Sequence, residues 1–259
     1  IPFTTDTLGV QYGYELSSGG VMRANRWAEH RRETSAVQYN ADQGADKGAA
    51  TGFSLVAQND LGFINLTKWA PSFAMGGNGA AINSYDMGSS YIRIAATPTV
   101  DDWTIVAGGG AMGGSSLTTG PPGVGPAAVL VDTQQTFFDL QAHGKISGND
   151  LGVYAQYASA PSTSGGNAYN MAPGDRKAWT IGADYSMIPH TLSIGGAYRN
   201  ANNGGAAAAS GDNAITLTAV YDLYQNVALH FNHSQYSGSA HDAAGTATYL
   251  TTFMLEAAW

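Results

Sequence analysis

The 259-residue chain contains no cysteine, which excludes a disulfide framework and any thiolate metal site. Charge is also scarce: Asp, Glu, Lys and Arg make up 12% of the residues, against about 25% in an average soluble domain. So few charges leave an ordinary water-facing surface hard to furnish. Long hydrophobic runs are missing as well, since no stretch approaches the roughly 18 to 20 consecutive apolar residues of a transmembrane helix. Mean hydropathy is close to neutral at −0.14. A helical membrane protein is therefore excluded. There is no basic excess: the net charge is −8, which argues against a nucleic-acid partner, because phosphate binding needs a basic stripe.

What the chain does have is 34 glycines, 10% aromatics and 44% hydrophobic residues, distributed with a period of two. In Phe138 to Ile146, one parity reads Phe138, Leu140, Ala142, Gly144, Ile146 and the other Asp139, Gln141, His143, Lys145. Leu151, Val153, Ala155 and Tyr157 oppose Gly152, Tyr154 and Gln156, and Trp179, Ile181, Ala183, Tyr185 and Met187 oppose Thr180, Gly182, Asp184 and Ser186. The same split runs through 192–199, 215–223 and, near the start, Leu8 to Leu16. Strict alternation marks strands with two unlike faces. A soluble sandwich alternates too, but these runs extend to about 9 to 12 residues, the length of a tilted strand crossing a bilayer, whereas globular strands average about 5 or 6. Aromatics such as Trp69, Trp103, Trp179, Tyr185, Tyr198 and Tyr221 are expected near the ends of the apolar parity, where a membrane interface would place them.

The connections have a rhythm of their own. Short links at 59–60, 98–102, 147–150, 188–190 and 224–226 alternate with long links rich in Gly, Ser, Ala and Asn at 70–86, 113–135, 161–176, 201–213 and 237–247. Short turns at one end and long loops at the other are the habit of transmembrane β-barrels. The expected architecture is all-β: one antiparallel up-and-down barrel domain over residues 1–259. Fourteen strands are expected at 7–16, 20–30, 35–42, 51–59, 61–70, 86–97, 102–112, 136–147, 150–160, 177–188, 190–200, 213–223, 226–237 and 247–259. Twelve strands plus a short helix or plug within 20–33 is the alternative, and residues 17–50 are the stretch that could plug the lumen. The chain begins Ile1-Pro2-Phe3, a start expected where a leader peptide has been removed and equally of a trimmed chain.

The final segment, Tyr249 to Trp259, resembles the closing strand of Gram-negative outer-membrane β-barrels, which ends in an aromatic residue with apolar residues two, four and six positions earlier. Trp259, Ala257, Leu255 and Phe253 match that spacing. Together with the loop rhythm, the chain resembles the porin-like members of that family at the level of pattern. The resemblance implies an outer-membrane location, contact with outer-membrane lipid and lipopolysaccharide, and recognition of Phe253, Leu255 and Trp259 by the barrel-assembly machinery.

A barrel of this size has a lumen wider than side chains fill, since about eight strands reach that limit. The polar parity is expected to line it: Glu15, Arg93, Asp139, Gln141, His143, Lys145, Asp184, Arg199, Asp222, His230 and Glu256, joined by Gln11, Gln156, Asn232 and Ser234. An excess of carboxylates predicts a mild cation preference in a passive channel for small polar solutes or ions. The same side chains pairing across the wall, as mere braces, is the blander expectation. The links 70–86, with Phe73, Met75 and Ile82, and 113–135, with Val129-Leu130-Val131, are candidates to fold inward. Two other functions fit the pattern: a structural sleeve around a partner such as a multihaem cytochrome, and a plugged carrier for hydrophobic molecules. A protein partner or further copies of the chain are compatible with either.

Catalysis is not expected. In His230-Phe231-Asn232-His233-Ser234, His233 and Ser234 are adjacent and face opposite sides, the wrong arrangement for a nucleophile and its base. His230 with Asn232, or His241 with Asp242, supplies at most two metal ligands where zinc takes three or four. No metal or cofactor is expected. Gly108-Gly109-Gly110 lacks the Lys-Ser/Thr of a phosphate loop and is expected to mark a bend or close packing in the wall. Arg23, Arg26, Arg31 and Arg32, interspersed with Glu29 and Glu33, form a segment suited to internal pairing or to lipopolysaccharide phosphate.

Overall fold

A computed structural model describes residues 2–5, 50–71, 88–119, 128–167, 169–170 and 172–257. Within them the chain is an antiparallel sheet. Its strands are β1 Pro2–Thr5, β2 Ala50–Asn59, β3 Gly62–Pro71, β4 Ser89–Ala96, β5 Thr99–Val100, β6 Trp103–Thr119, β7 Ala128–Asp132, β8 Gln135–Ile146, β9 Asn149–Ala160, β10 Arg176–Ile188, β11 Leu192–Asn202, β12 Asn213–Tyr224, β13 Val227–Ser237 and β14 Tyr249–Ala257. Twelve of them follow one another as hydrogen-bonded neighbours in chain order, while β5 and β7 both pair with β6 beside that path. No helix among the described residues is long and apolar enough to cross a membrane. The helical element described is a 3-10 turn at Ala207–Ala209.

Each strand expected from residue 51 onward is present, with ends shifted by a few residues. The expected strands 7–16, 20–30 and 35–42 lie outside the described residues. Three strands were not foreseen. β1 pairs with the start of β2, and β5 forms inside the short link before β6. The third changes the view of the 113–135 link: β6 runs on to Thr119 and returns through β7, in register Ser115↔Asp132 to Thr119↔Ala128. This segment is a hairpin prolonging the wall, and Leu130 in it is exposed rather than docked inward.

Local chemistry explains the short turns. Ser147 and Gly148 both have positive φ, 53° and 86°, the signature of a two-residue type I′ hairpin whose twist matches its strands. Asp101, His190 and Asn226 also take positive φ at short turns, and Asp and Asn tolerate this backbone better than other side-chain-bearing residues. In the β2–β3 turn the Asn59 side-chain oxygen accepts hydrogen bonds from the Leu61 and Gly62 amides at 2.9 and 3.1 Å.

The two faces of the sheet are inverted relative to a soluble protein. Phe138 and Leu140 on β8 are 63% and 52% exposed, while Asp139 and Gln141 between them are 5% and 2% exposed. Among the described residues, thirty large hydrophobic side chains are exposed, and the buried set holds nineteen polar or charged residues against twelve hydrophobic ones. In water the largest apolar patch of a monomer is typically about 300–600 Å². Here exposed large hydrophobic side chains recur on β2, β3, β4 and β8 to β14, a spread across the whole sheet rather than a single patch.

Candidate functional site: the polar face of the sheet

Register places the polar residues of neighbouring strands side by side. Arg93 on β4 lies opposite Gly110 on β6, and Gly108 on β6 lies opposite Asp139 on β8. Strands two apart are separated by about 9 to 10 Å, yet Arg93 Nη2 donates to Asp139 Oδ2 at 2.8 Å. The bridge is made across β6 because Gly108 and Gly110 leave only hydrogen on this face at the crossing. A Cβ at Gly110 would lie 2.5 Å from Phe137 Cζ and 2.3 Å from the Ile92 carbonyl oxygen. The glycine run expected to mark close packing does so: it is the floor over which an ion pair and an aromatic ring cross. Gln141 Nε2 donates to the same Asp139 oxygen at 3.1 Å, and the Arg93 guanidinium stands 5.2 Å over the Phe63 ring, within cation–π range.

The device recurs along the face. Tyr154 on β9 lies over Gly182 on β10, whose added Cβ would sit 2.4 Å from the phenol oxygen. His143 on β8 covers Gly152 on β9, and a Cβ on Gly195 of β11 would meet Asp184 Oδ1 from β10 and Thr218 Oγ1 from β12. These side chains lie along the sheet over the glycines of the neighbouring strand. Elsewhere the bonds are between direct neighbours, Thr216 and Ser234 hydroxyls at 2.8 Å and Ser54 and Thr67 at 2.6 Å; His230 Nε2 stands 3.2 Å from Glu256 Oε2 without a hydrogen bond between them.

Burial is graded along the strands. Toward the long-loop end Arg93, Asp139, Gln141, Gln156, Thr180 and Arg199 are buried. Toward the short turns Lys145, Asp150 and Asp222 are exposed and Asp184 and Glu256 half-buried. Two cavities open at that end: one of about 380 Å³ bordered by His143, Lys145, Asp150, Asp184 and Ser193, the other of about 560 Å³ bordered by His190, Asp222 and Glu256. Lys145 and Asp150 stand 3.8 Å apart, both well exposed.

At the opposite end the long connections are tied to one another. The buried Asn167 side chain donates to the Gln134 and Pro161 carbonyls, each at 2.9 Å, and accepts from the Gln134 and Tyr169 amides. Asn170 does the same for Ala160, Gly174 and Ala172. Gly174 donates to the Gly204 carbonyl, and Arg199 pairs with Asp212 at 2.5 Å, which also meets His241 Nε2 at 3.0 Å. The three segments 161–175, 203–212 and 238–248 are thereby braced in series.

Arg93, Asp139, Gln141, His143, Lys145, Asp184, Arg199, Asp222, His230 and Glu256 share the polar face, together with Gln156, Asn232 and Ser234. Glu15 and Gln11 lie outside the described residues. Trp103, Trp179, Tyr185, Tyr198, Tyr221, Phe253 and Leu255 lie on the opposite, apolar face; Trp259, the end of the assembly signal, lies outside the described residues. Trp69 is a correction. It was expected among the interfacial aromatics, but it shares parity with Asn65 and Thr67 and is fully buried. Gly52 opposite makes the room, since a Cβ there would fall 2.8 Å from Trp69 Cβ. Tyr91, Phe137 and Tyr154 also belong to the polar face, Tyr91 and Phe137 stacking at 5.9 Å. Their parity with Arg93, Asp139 and Gln156 was the signal that would have found them.

No family model and no curated protein sequence matches the chain. Solved structures with a similar course of strands include the outer-membrane expressed OmpT of Vibrio cholerae (TM-score 0.45, 12% identity, 91% of this chain and 65% of that one). A porin (0.47, 11%, 80% and 61%) and a BenF-like porin from Pseudomonas fluorescens Pf-5 (0.45, 16%, 80% and 54%) are also similar. The chain thus spans less than two thirds of the length of each of these three proteins.

Proposed function

We propose that the chain forms the wall of a transmembrane β-barrel in a bacterial outer membrane and passes small polar solutes and ions by passive diffusion, without catalysis. The observation that carries this is the inversion of the sheet: hydrocarbon on the exposed parity, hydrogen-bonded polar groups on the other. Closed on itself, such a sheet leaves no open edge in lipid and encloses a polar lumen. The open, short-turn half of the polar face holds Asp184, Asp222 and Glu256, while Lys145 there is balanced by Asp150. Carboxylates in surplus near a mouth favour cations, and the proposed preference is mild.

Planar-bilayer recording tests it. Purified protein should give steady single-channel steps, with a reversal potential in a salt gradient displaced toward the cation side. Silent bilayers would refute the channel and leave the sleeve or the plugged carrier. A chain monodisperse in buffer without detergent would refute the membrane placement itself.

A further inference from the structure

The apolar face carries very little charge. Along β2 to β4, β6 and β8 to β14, its parity contains no Asp or Glu and two lysines, Lys68 and Lys177. Both lie toward the long-loop ends of their strands. Lys177 has a partner, Asp175 at 4.0 Å. Lys68 makes no ion pair or hydrogen bond among the described residues.

Lys68 stands at one end of a groove. Two rungs of the sheet build it, Phe53–Lys68–Ser90–Gly113 and Leu55–Leu66–Ile92–Ala111, aligned by the register of β2, β3, β4 and β6. The first rung lies toward the long-loop end. Large side chains on β2 and β3 fall away to Ser90, Ala111 and Gly113, with open space where a side chain at Gly113 would be. The groove encloses about 620 Å³. Its floor is apolar along the second rung, and its loop-side lip is the ammonium of Lys68.

We infer that this groove holds one lipid with a net-negative phosphate headgroup, its phosphate on Lys68 and an acyl chain along Leu55, Leu66, Ile92 and Ala111. The inference rests on the membrane placement proposed above. A cation without a partner among the described residues, on a hydrocarbon-facing wall, is stabilised by an anion at headgroup depth, and the long-loop end of the strand is where a headgroup would lie. A cationic head and an apolar trough aligned along the strands match the two chemistries of one lipid molecule. Neither alone would distinguish it from a free anion or a detergent chain.

Native mass spectrometry of the full chain in detergent tests this, with phosphatidic acid, phosphatidylcholine of the same acyl chains, and inorganic phosphate as probes. One phosphatidic acid should be retained in preference to phosphatidylcholine, and inorganic phosphate should not displace it. Lys68→Gln should weaken retention about fivefold, the order expected for one basic residue against an anionic lipid, and Lys68→Arg should restore it. Gly113→Leu fills open space and should lower retention of both lipids. Equal retention of the two lipids, displacement by inorganic phosphate, retention unchanged in Lys68→Gln, or occupancy of the groove by a second copy of the chain would each overturn the proposal. Lys68 is on the face away from the polar wall, so Lys68→Gln should conduct like the parent. A protein that conducts but keeps no phosphatidic acid defeats this inference alone.

Discussion

Replacing Asp139 by alanine is the most informative single perturbation. Its carboxylate is fully buried beside an Arg93 side chain 3% exposed, so no discount for solvent screening applies. Two donors converge on Oδ2, Arg93 at 2.8 Å and Gln141 at 3.1 Å. Removing one member of a buried pair leaves an uncompensated charge and costs about 3–5 kcal/mol, or roughly two to four decades in the unfolding constant. The double variant Arg93→Met with Asp139→Leu removes both charges at similar volume and should lie near or above the parent. Urea titration in phospholipid vesicles, followed by tryptophan fluorescence, measures all three proteins. A loss below about 1 kcal/mol in Asp139→Ala, the value of an exposed pair, would refute the reasoning by showing that water reaches Arg93 freely.

Three further outcomes are expected. Gly110→Leu must displace the Phe137 ring and crowd the Ile92 carbonyl, so it should destabilise by about 1–3 kcal/mol or more, as overpacking does, in the same titration. Leu140→Arg, on the exposed parity midway along β8, should cost about 2–4 kcal/mol in a bilayer and far less if that face met water; folding yield into vesicles measures the difference. Neutralising Asp184, Asp222 and Glu256 together as Asn, Asn and Gln should shift the reversal potential in a salt gradient toward zero or to the anion side, while neutralising the buried Asp139 acts on stability.

The strands were legible because two unlike faces imprint a two-residue period that survives averaging, and the turns because Asp, Asn, Ser and Gly stood where positive φ was needed, as at Ser147-Gly148. The polar wall was legible by parity, down to Asp139, Gln141 and His230. What the pattern concealed was depth. An aromatic ring sits on either face, so Trp69 read as interfacial until Gly52 showed which side had space for it. Which polar residues pair was equally hidden. Arg93 and Asp139 are 46 residues apart and on strands that are not neighbours in the sheet, and their meeting depends on glycines whose facing requires register. The hairpin of β6 and β7 escaped notice because its sequence reads as a loop rich in Gly, Ser, Thr and Pro. The loop braces at Asn167 and Asn170 escaped for a related reason, since nothing local separates a buried asparagine from a solvated one.

Along its main path every strand pairs with the next strand of that path, and the tight reversals at one end of the strands each join a ready-made couple. From β2 onward, contacts this local keep the chain-closure entropy of each pairing small. Such a molecule has a modular growth rule: a pair of strands could be duplicated or lost at a reversal, widening or narrowing the whole by one unit, while the remaining pairings keep their partners.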